Sequence, residues 1–92
     1  MIRSFRHKGL EQFFVTGSKK GILPDHAEKI ARILDRLDAS SSPVDMNLPG
    51  YRLHELKGQD TGTWSVTVNA NWRITFKFNG QDAVVVNYRD YH

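Results

Sequence analysis

The last third of the chain restricts the fold most, because two consecutive runs alternate apolar with polar residues. The runs cover residues 64–68 and 72–78 and are rich in aromatic and β-branched side chains. Such period-two alternation is typical of β-strands with one buried face. Asn79-Gly80 is a strong hairpin signal, and a more continuously apolar run at 83–88 follows it. We therefore predict three antiparallel strands in a meander, the last of them shielded on both faces.

The pleat of the middle run separates two sets of side chains, because successive residues of a strand point to opposite faces. The apolar set must be covered by other elements and consists of Trp72, Ile74, Phe76 and Phe78. The polar set is expected to face solvent or a ligand and consists of Arg73, Thr75 and Lys77.

Two amphipathic helices are predicted in the first forty residues. The first begins at His7 or Lys8 and ends at Gly17, a residue type common just after a helix. The second begins at Pro24, which suits a first helical turn, and ends near Ala39. Its apolar stripe follows three- and four-residue spacing and consists of Ala27, Ile30, Ala31, Leu34 and Leu37, with Ile33 beside it.

The elements follow one another as a short strand, two helices and then three or four strands. Residues 1–5 and 51–53 are expected to add the short strands. This order predicts an α+β fold in which two N-terminal helices pack on one face of a small antiparallel β-sheet. The helices would cover the face of Trp72 and leave the face of Arg73 open.

Length and composition indicate one small domain, residues 1–92. The chain has no cysteine, which excludes disulfides and thiolate chemistry and fits a reducing cytoplasm. No apolar run approaches the roughly 20 residues of a membrane-spanning helix, and the basic N-terminus lacks the apolar stretch of a signal peptide. The net charge of +3 is compatible with an anionic partner such as nucleic acid and equally with simple solubility.

Side chains that transfer protons or neutralise phosphate occur just before, within and just after the meander. No metal-ligand spacing and no glycine-rich phosphate loop accompanies them, so no cofactor is expected. Their types suit metal-independent RNA cleavage, in which a 2′-OH attacks its own phosphate: histidine can act as acid or base, and arginine and lysine neutralise the phosphorane. The candidates are His54, Lys57, Arg73, Asp90, Tyr91 and His92.

Four segments give the chain a specific resemblance to a known family. They read I-R-S-F-R-H-K-G-L (2–10), Y-R-L-H-E-L-K-G (51–58), W-S-V-T-V-N-A-N-W-R-I-T-F (64–76) and N-Y-R-D-Y-H (87–92). With them the chain resembles the RelE-like toxin superfamily of bacterial toxin–antitoxin systems, and specifically its HigB branch. The resemblance covers nearly the whole chain and implies a RelE-like, microbial RNase-type fold.

The resemblance implies a ribosome-dependent endoribonuclease that cleaves the mRNA codon in the ribosomal A site and halts translation. Its implied partners are the ribosome with its small-subunit rRNA, the mRNA, and a cognate helix-turn-helix antitoxin of the HigA type. Operator DNA would be contacted only indirectly, through that antitoxin. Neither a membrane nor a cofactor is implied.

The resemblance also implies roles for the candidates. His54 matches the catalytic histidine, and Lys57 the basic residue, of the L-H-x-L-K-G motif. Arg73 matches the arginine of N-W-R, which is expected at the scissile phosphate, and residues 90–92 match the terminal D-Y-H. The resulting hypothesis assigns acid and base steps to His54 and His92, with Asp90 orienting a histidine or acting as the base. Arg73 and Lys57 neutralise the phosphorane, and Tyr91 positions the nucleotide.

Two other functions stay open at this stage. One is a catalytically inactive toxin that survives as an antitoxin-binding co-repressor, and the other is a ribosome-independent RNA-binding domain or nuclease. The histidines His7 and His26 are expected on the surface. A candidate rim for ribosomal RNA contacts, which can equally be read as ordinary solvated surface, consists of Lys8, Lys19, Lys20, Arg32 and Arg36.

Overall fold

The fold of this protein, in a computed structural model that describes residues 1–91, is the predicted α+β arrangement. The helices are α1 (Lys8–Thr16) and α2 (Ala27–Asp38). Four strands form one antiparallel sheet in the order β1-β2-β3-β4. They are β1 (His54–Glu55), β2 (Trp64–Asn69), β3 (Trp72–Asn79) and β4 (Asp82–Asp90).

Helix α1 begins and ends where its sequence predicts. Nδ1 of His7 accepts a hydrogen bond from the backbone N–H of Leu10 at 3.0 Å and caps the N-terminus. At the other end Gly17 has φ 81°, the left-handed conformation that glycine adopts without strain. His7 is therefore half-buried as a cap, and its expected surface position is wrong.

Helix α2 begins one short turn later than predicted. Pro24–His26 form a 3-10 turn, and the α-helix then runs from Ala27 to Asp38. Its apolar stripe is rotated relative to the prediction, since Ile33 is fully buried and Ala31 only half-buried. The difference arises because the sheet lies against the Ile30, Ile33 and Leu34 side of the helix, where these residues join the core.

His26 is buried rather than exposed, which corrects the sequence-based expectation. Only 4% of it is accessible, and its Nδ1 lies 2.6 Å from the hydroxyl of Tyr88 on β4. The rings of Trp72 and Tyr88 pack against each other with centroids 4.6 Å apart, and the His26 ring meets both edge-on. A hydrogen bond between buried side chains therefore joins the start of α2 to the last strand.

Strand β4 contains a β-bulge, and for this reason it is not shielded on both faces as predicted. Thr75 pairs with Asn87 and Lys77 with Val84, so β4 has one extra residue between the two pairs. Val85 has φ 54° and is 41% exposed, whereas Val86 is fully buried. The backbone N–H of Val85 donates to the Ser4 hydroxyl at 2.8 Å.

The edges of the sheet differ slightly from the prediction. Ile2 and Phe5 make parallel bridges to Ala83 and Val86, so the N-terminal segment does lie along the β4 edge. At the opposite edge the short strand is β1 and not residues 51–53, because Arg52 has φ 51° and interrupts the extended chain.

One hydrophobic core joins the helices to one face of the sheet. Its fully buried members include Leu10 of α1, Ile33 of α2, and Val66, Ile74 and Phe76 of the sheet. The opposite face of the sheet, which we call the polar face, carries Arg73 and Lys77.

Within residues 1–91 no helix has the length and apolarity needed to cross a membrane.

Candidate active site

The register of the sheet places His54 and Arg73 on the polar face. His54 pairs with Ser65, and Ser65 pairs with Thr75. Arg73 lies two residues before Thr75 on β3. Because paired residues and residues two apart on a strand share a face, all four side chains lie on the same side. Two of the sequence-predicted site residues are thereby brought together around Ser65.

Small buried hydroxyl residues form the floor of this site. Ser65 is fully buried and Thr75 is 2% exposed, so the polar face is not wholly open as expected. Nη1 of Arg73 donates to the Ser65 hydroxyl oxygen at 3.4 Å, which holds the half-buried guanidinium above the floor. His54 is exposed on the other side of Ser65. A phosphate above Ser65 would thus meet a cation on one side and an imidazole on the other.

The backbone beside His54 determines which ring nitrogen is basic. Nδ1 of His54 lies 3.3 Å from the carbonyl oxygen of Arg52. A carbonyl only accepts hydrogen bonds, so Nδ1 carries the proton in this contact and Nε2 of the neutral ring has the free lone pair. Arg52, whose carbonyl makes this contact, has the left-handed φ of 51°, and the role of His54 as a base stays a prediction.

Lys57 lies three residues beyond His54 and is exposed. It precedes the 3-10 turn Gly58–Asp60, which leads into β2. The carboxylate of Glu55 accepts the backbone N–H of Gly62 at 2.9 Å and holds this connection against the strand. A contact between Lys57 and a bound phosphate stays a prediction.

Tyr91 and Arg89 extend the site along β4. Arg89 pairs with Arg73 across the sheet, and its guanidinium lies 4.6 Å from the centroid of the Tyr91 ring. The Tyr91 hydroxyl is buried yet lacks a hydrogen-bond partner within residues 1–91. Unsatisfied buried polar groups are uncommon and often mark functional sites. Sequence reasoning left Arg89 out of the candidate site residues, although its period-two spacing with Tyr91 could have included it.

Asp90 lies on the other side of the sheet from Arg73. It pairs with Trp72, whose side chain is on the helix-covered face. Burial raises the pKa of the Tyr88 phenol above its ordinary value, the Leu23 backbone partly offsets this, and the charge of Asp90 adds to the increase. Asp90 is thus on the face that the helices cover, and a direct part in proton transfer above Ser65 stays a prediction.

The remaining predictions for the site concern the terminus and metals. His92 lies outside the described residues, so its role as acid or base stays a prediction. Among residues 1–91, no three His, Cys, Asp or Glu side chains come close enough together to hold a metal ion.

Comparison with known proteins identifies the family. Residues 3–92 match the family described as RelE-like toxin of type II toxin–antitoxin system HigB. The chain belongs to this family. It is 45% identical to Endoribonuclease HigB of Proteus vulgaris over 92 residues, which is the full length of both proteins. It is also 34% identical to Toxin HigB-1 of Vibrio cholerae serotype O1 over 95 aligned positions, covering this whole chain and 98% of the relative.

The basic patch predicted on this HigB-family toxin consists of exposed residues on the helices and the loop between them. The backbones of Gly9 and Gly21 approach so closely that a Cβ built on Gly21 would lie 2.6 Å from the Gly9 Cα. Lys8 precedes Gly9 and Lys20 precedes Gly21, and both lysines are exposed, as is Lys19 in the same loop. Arg32 and Arg36 are exposed on α2, and Nε of Arg36 donates to the Asp45 carbonyl at 3.0 Å.

Proposed function

We propose that this toxin is a ribosome-dependent endoribonuclease, which cleaves mRNA in the ribosomal A site and so inhibits translation in the cytoplasm. Toxins of type II systems are paired with an antitoxin, and we propose a HigA-like helix-turn-helix protein that alone contacts operator DNA. The name of the Proteus vulgaris relative supports the nuclease assignment, since the two chains align from end to end.

The placement of His54 and Arg73 on either side of Ser65 carries the proposal. Nε2 of His54 takes the proton of the ribose 2′-OH as this oxygen attacks the adjacent phosphorus. The guanidinium of Arg73 neutralises the charge that develops on the phosphorane oxygens, which is a term of large weight in such reactions. The guanidinium of Arg73 is half-buried and makes a long contact of 3.4 Å to the Ser65 hydroxyl, which limits the reorganisation that the cation requires.

The leaving 5′ oxygen requires a proton from a second group. We assign this step to His92, which follows directly on Tyr91 in the sequence. Tyr91 positions the nucleotide through its ring, and Lys57 adds positive charge at the margin. Asp90 is assigned an orienting role, which its pairing with Trp72 on the helix-covered face supports.

A second set of exposed cations supports ribosome dependence. The polar face offers a site for the mRNA, while the patch of Lys8, Lys19 and Lys20 is a second, exposed cationic surface. Phosphate contacts of this kind provide affinity and orientation without sequence specificity. We propose that this patch, with Arg32 and Arg36, contacts small-subunit rRNA.

Primer extension on a translated mRNA tests the proposal, with and without programmed ribosomes. Wild-type protein is compared with His54→Ala, Arg73→Ala and His92→Ala, and with Arg3→Ala as a control. Arg3 is an exposed cation that is ion-paired with Asp82 at the end of β4 distant from Arg73. Loss of one acid–base group is expected to slow cleavage by roughly 10²–10⁴-fold, whereas the control cleaves at the wild-type rate.

Each outcome separates the competing functions. Cuts within A-site codons that require both ribosomes and His54 support the proposal. Cuts on naked RNA retain the nuclease but refute ribosome dependence. No cuts under any condition, by a folded protein that binds its antitoxin, would replace the enzyme with an antitoxin-binding co-repressor.

A further inference from the structure

A small cavity lies on the polar face beside the candidate active site. Its volume is about 100 Å³, and its lining includes the cations Arg6, Lys77 and Arg89 together with the carboxylate of Asp60. Pockets for whole small molecules usually measure roughly 300–1,000 Å³, so this cavity is smaller than such a pocket. Its size suits a single phosphate group better than a nucleoside.

The three cations are available to an anion. All are exposed, and within the part of the chain that the structure describes none of them forms an ion pair. Arg3 provides a contrast in the same N-terminal segment, because its Nε lies 3.1 Å from a carboxylate oxygen of Asp82. The ring of Tyr91 supports the Arg89 guanidinium and limits its freedom. Asp60 reduces the positive charge of the cavity without cancelling it.

The cavity is continuous with the site above Ser65. Arg89, in its lining, pairs with Arg73, and Asn87 pairs with Thr75. Lys77 lies two residues beyond Thr75, which is roughly 7 Å along a strand. The cavity thus extends from the row of Arg73 toward the N-terminal segment, where Arg6 lies. An RNA strand with its scissile phosphate at Arg73 has an adjacent phosphate within reach of it.

The bulge in β4 shapes this cavity. Val85, the exposed residue with φ 54°, is part of the lining. The backbone N–H of Arg6 donates to the carbonyl of Val86 at 2.8 Å, which fixes the N-terminal segment beside the bulge. Bulges commonly redirect a strand next to a functional site, and here the bulged strand and the segment that carries Arg6 meet at the same cavity.

We propose that Arg6, Lys77 and Arg89 form a subsite for the RNA phosphate adjacent to the scissile one, on the substrate strand. The proposal rests on the endoribonuclease function proposed above and extends the path of the mRNA across β3 and β4. Arg6, Lys77 and Arg89 act as positioning residues and take no part in proton transfer.

Binding of an uncleavable oligonucleotide by the purified toxin tests this subsite. The probe is a fluorescent single-stranded RNA with 2′-deoxyribose at the scissile position, and anisotropy gives its dissociation constant over a range of salt concentrations. Arg6→Gln and Lys77→Gln are each expected to weaken binding by about two- to fivefold, as for one exposed ion pair. Each should also reduce the slope of log affinity against log salt by about 0.7, the value for one phosphate of a single strand. Arg3→Gln is the matched control, with wild-type affinity and slope.

A second set of probes identifies the phosphate. Each carries one uncharged methylphosphonate, on the 5′ or the 3′ side of the scissile position. With one of them, wild type and Lys77→Gln should bind equally, because the anion that Lys77 contacts is gone. A Lys77→Gln defect that persists with both probes, or variants indistinguishable from Arg3→Gln, would overturn the proposal. Because the probe is not cleaved, the two proposals can fail separately. If the toxin has no nuclease activity but the Lys77→Gln defect disappears with one methylphosphonate probe, only the proposed reaction is refuted. If the toxin is an active nuclease and the defect persists with both probes, only the subsite is refuted.

Discussion

Replacing Tyr88 with phenylalanine tests whether the buried hydrogen bond to His26 stabilises the fold. The two side chains are 5% and 4% exposed, and the donor–acceptor distance is 2.6 Å. The substitution removes the hydroxyl and retains the ring that packs against Trp72. Nδ1 of His26 then loses its side-chain partner inside the protein, where water cannot readily replace it.

The free energy of unfolding is expected to fall by about 1–3 kcal/mol, the cost of leaving one buried polar group unsatisfied. For a domain of this size, each 1 kcal/mol corresponds to roughly 4–8 °C in melting temperature. Urea unfolding followed by tryptophan fluorescence measures the change, and Trp72 reports on it directly because it contacts Tyr88. The denaturant slope m should remain constant, since the variant exposes the same surface on unfolding.

Tyr91→Phe is the matched control for Tyr88→Phe. The Tyr91 hydroxyl is also buried, but it has no hydrogen-bond partner within residues 1–91. Removing it leaves no described group unsatisfied, so stability should be unchanged or slightly higher. Equal destabilisation by both substitutions, or a Tyr88→Phe effect below about 0.5 kcal/mol, which is typical of surface changes, would refute the reasoning.

Three further predictions concern stability. The pKa of Asp82 is lowered chiefly by the hydrogen bond that it accepts from Arg3, so the ionised carboxylate stabilises the fold above its ordinary pKa of 3.8 and this stabilisation is lost in more acidic solution. Asp82→Asn should therefore flatten the pH dependence of the free energy of unfolding between roughly pH 5 and pH 2. The raised pKa of Tyr88 means that the folded state holds this proton more tightly, so stability should fall as pH rises above 10.0, and less so in Tyr88→Phe. Gly21→Ala should destabilise by about 1–3 kcal/mol in thermal unfolding, because its Cβ would meet the Gly9 backbone.

The helices and the three main strands could be predicted from local pattern. Gly17, Pro24 and Asn79-Gly80 determine where the chain ends a helix, begins one or reverses, and each acts through its own backbone preference. The alternation along β3 likewise predicted which side chains are covered by helices. Such features depend on a few neighbouring residues, and so the sequence displays them.

The partners of His26 and the pairing of Arg89 could not be predicted in this way. His26 lies next to exposed Asp25 and looks polar and superficial in sequence, but the 3-10 turn before α2 directs it inward to Tyr88, which is 62 residues away. Arg89 is placed opposite Arg73 by the register between β3 and β4. Both facts depend on tertiary contacts over long sequence separations.

The three consecutive valines at 84–86 show why the sequence of β4 was misleading and why the site nevertheless forms. Val84 pairs with Lys77 on the polar face, Val85 is the extra residue of the bulge, and Val86 points into the core. An uninterrupted alternation from Val84 would have turned Val86 to the polar face and Asn87 to the core. The bulge reverses the alternation, so that Tyr88 reaches His26 while Arg89 and Tyr91 face the proposed RNA path. The strained φ of Val85, which costs a β-branched residue on the order of 1–3 kcal/mol, is therefore tied to the arrangement that unites the core and the candidate site on one strand.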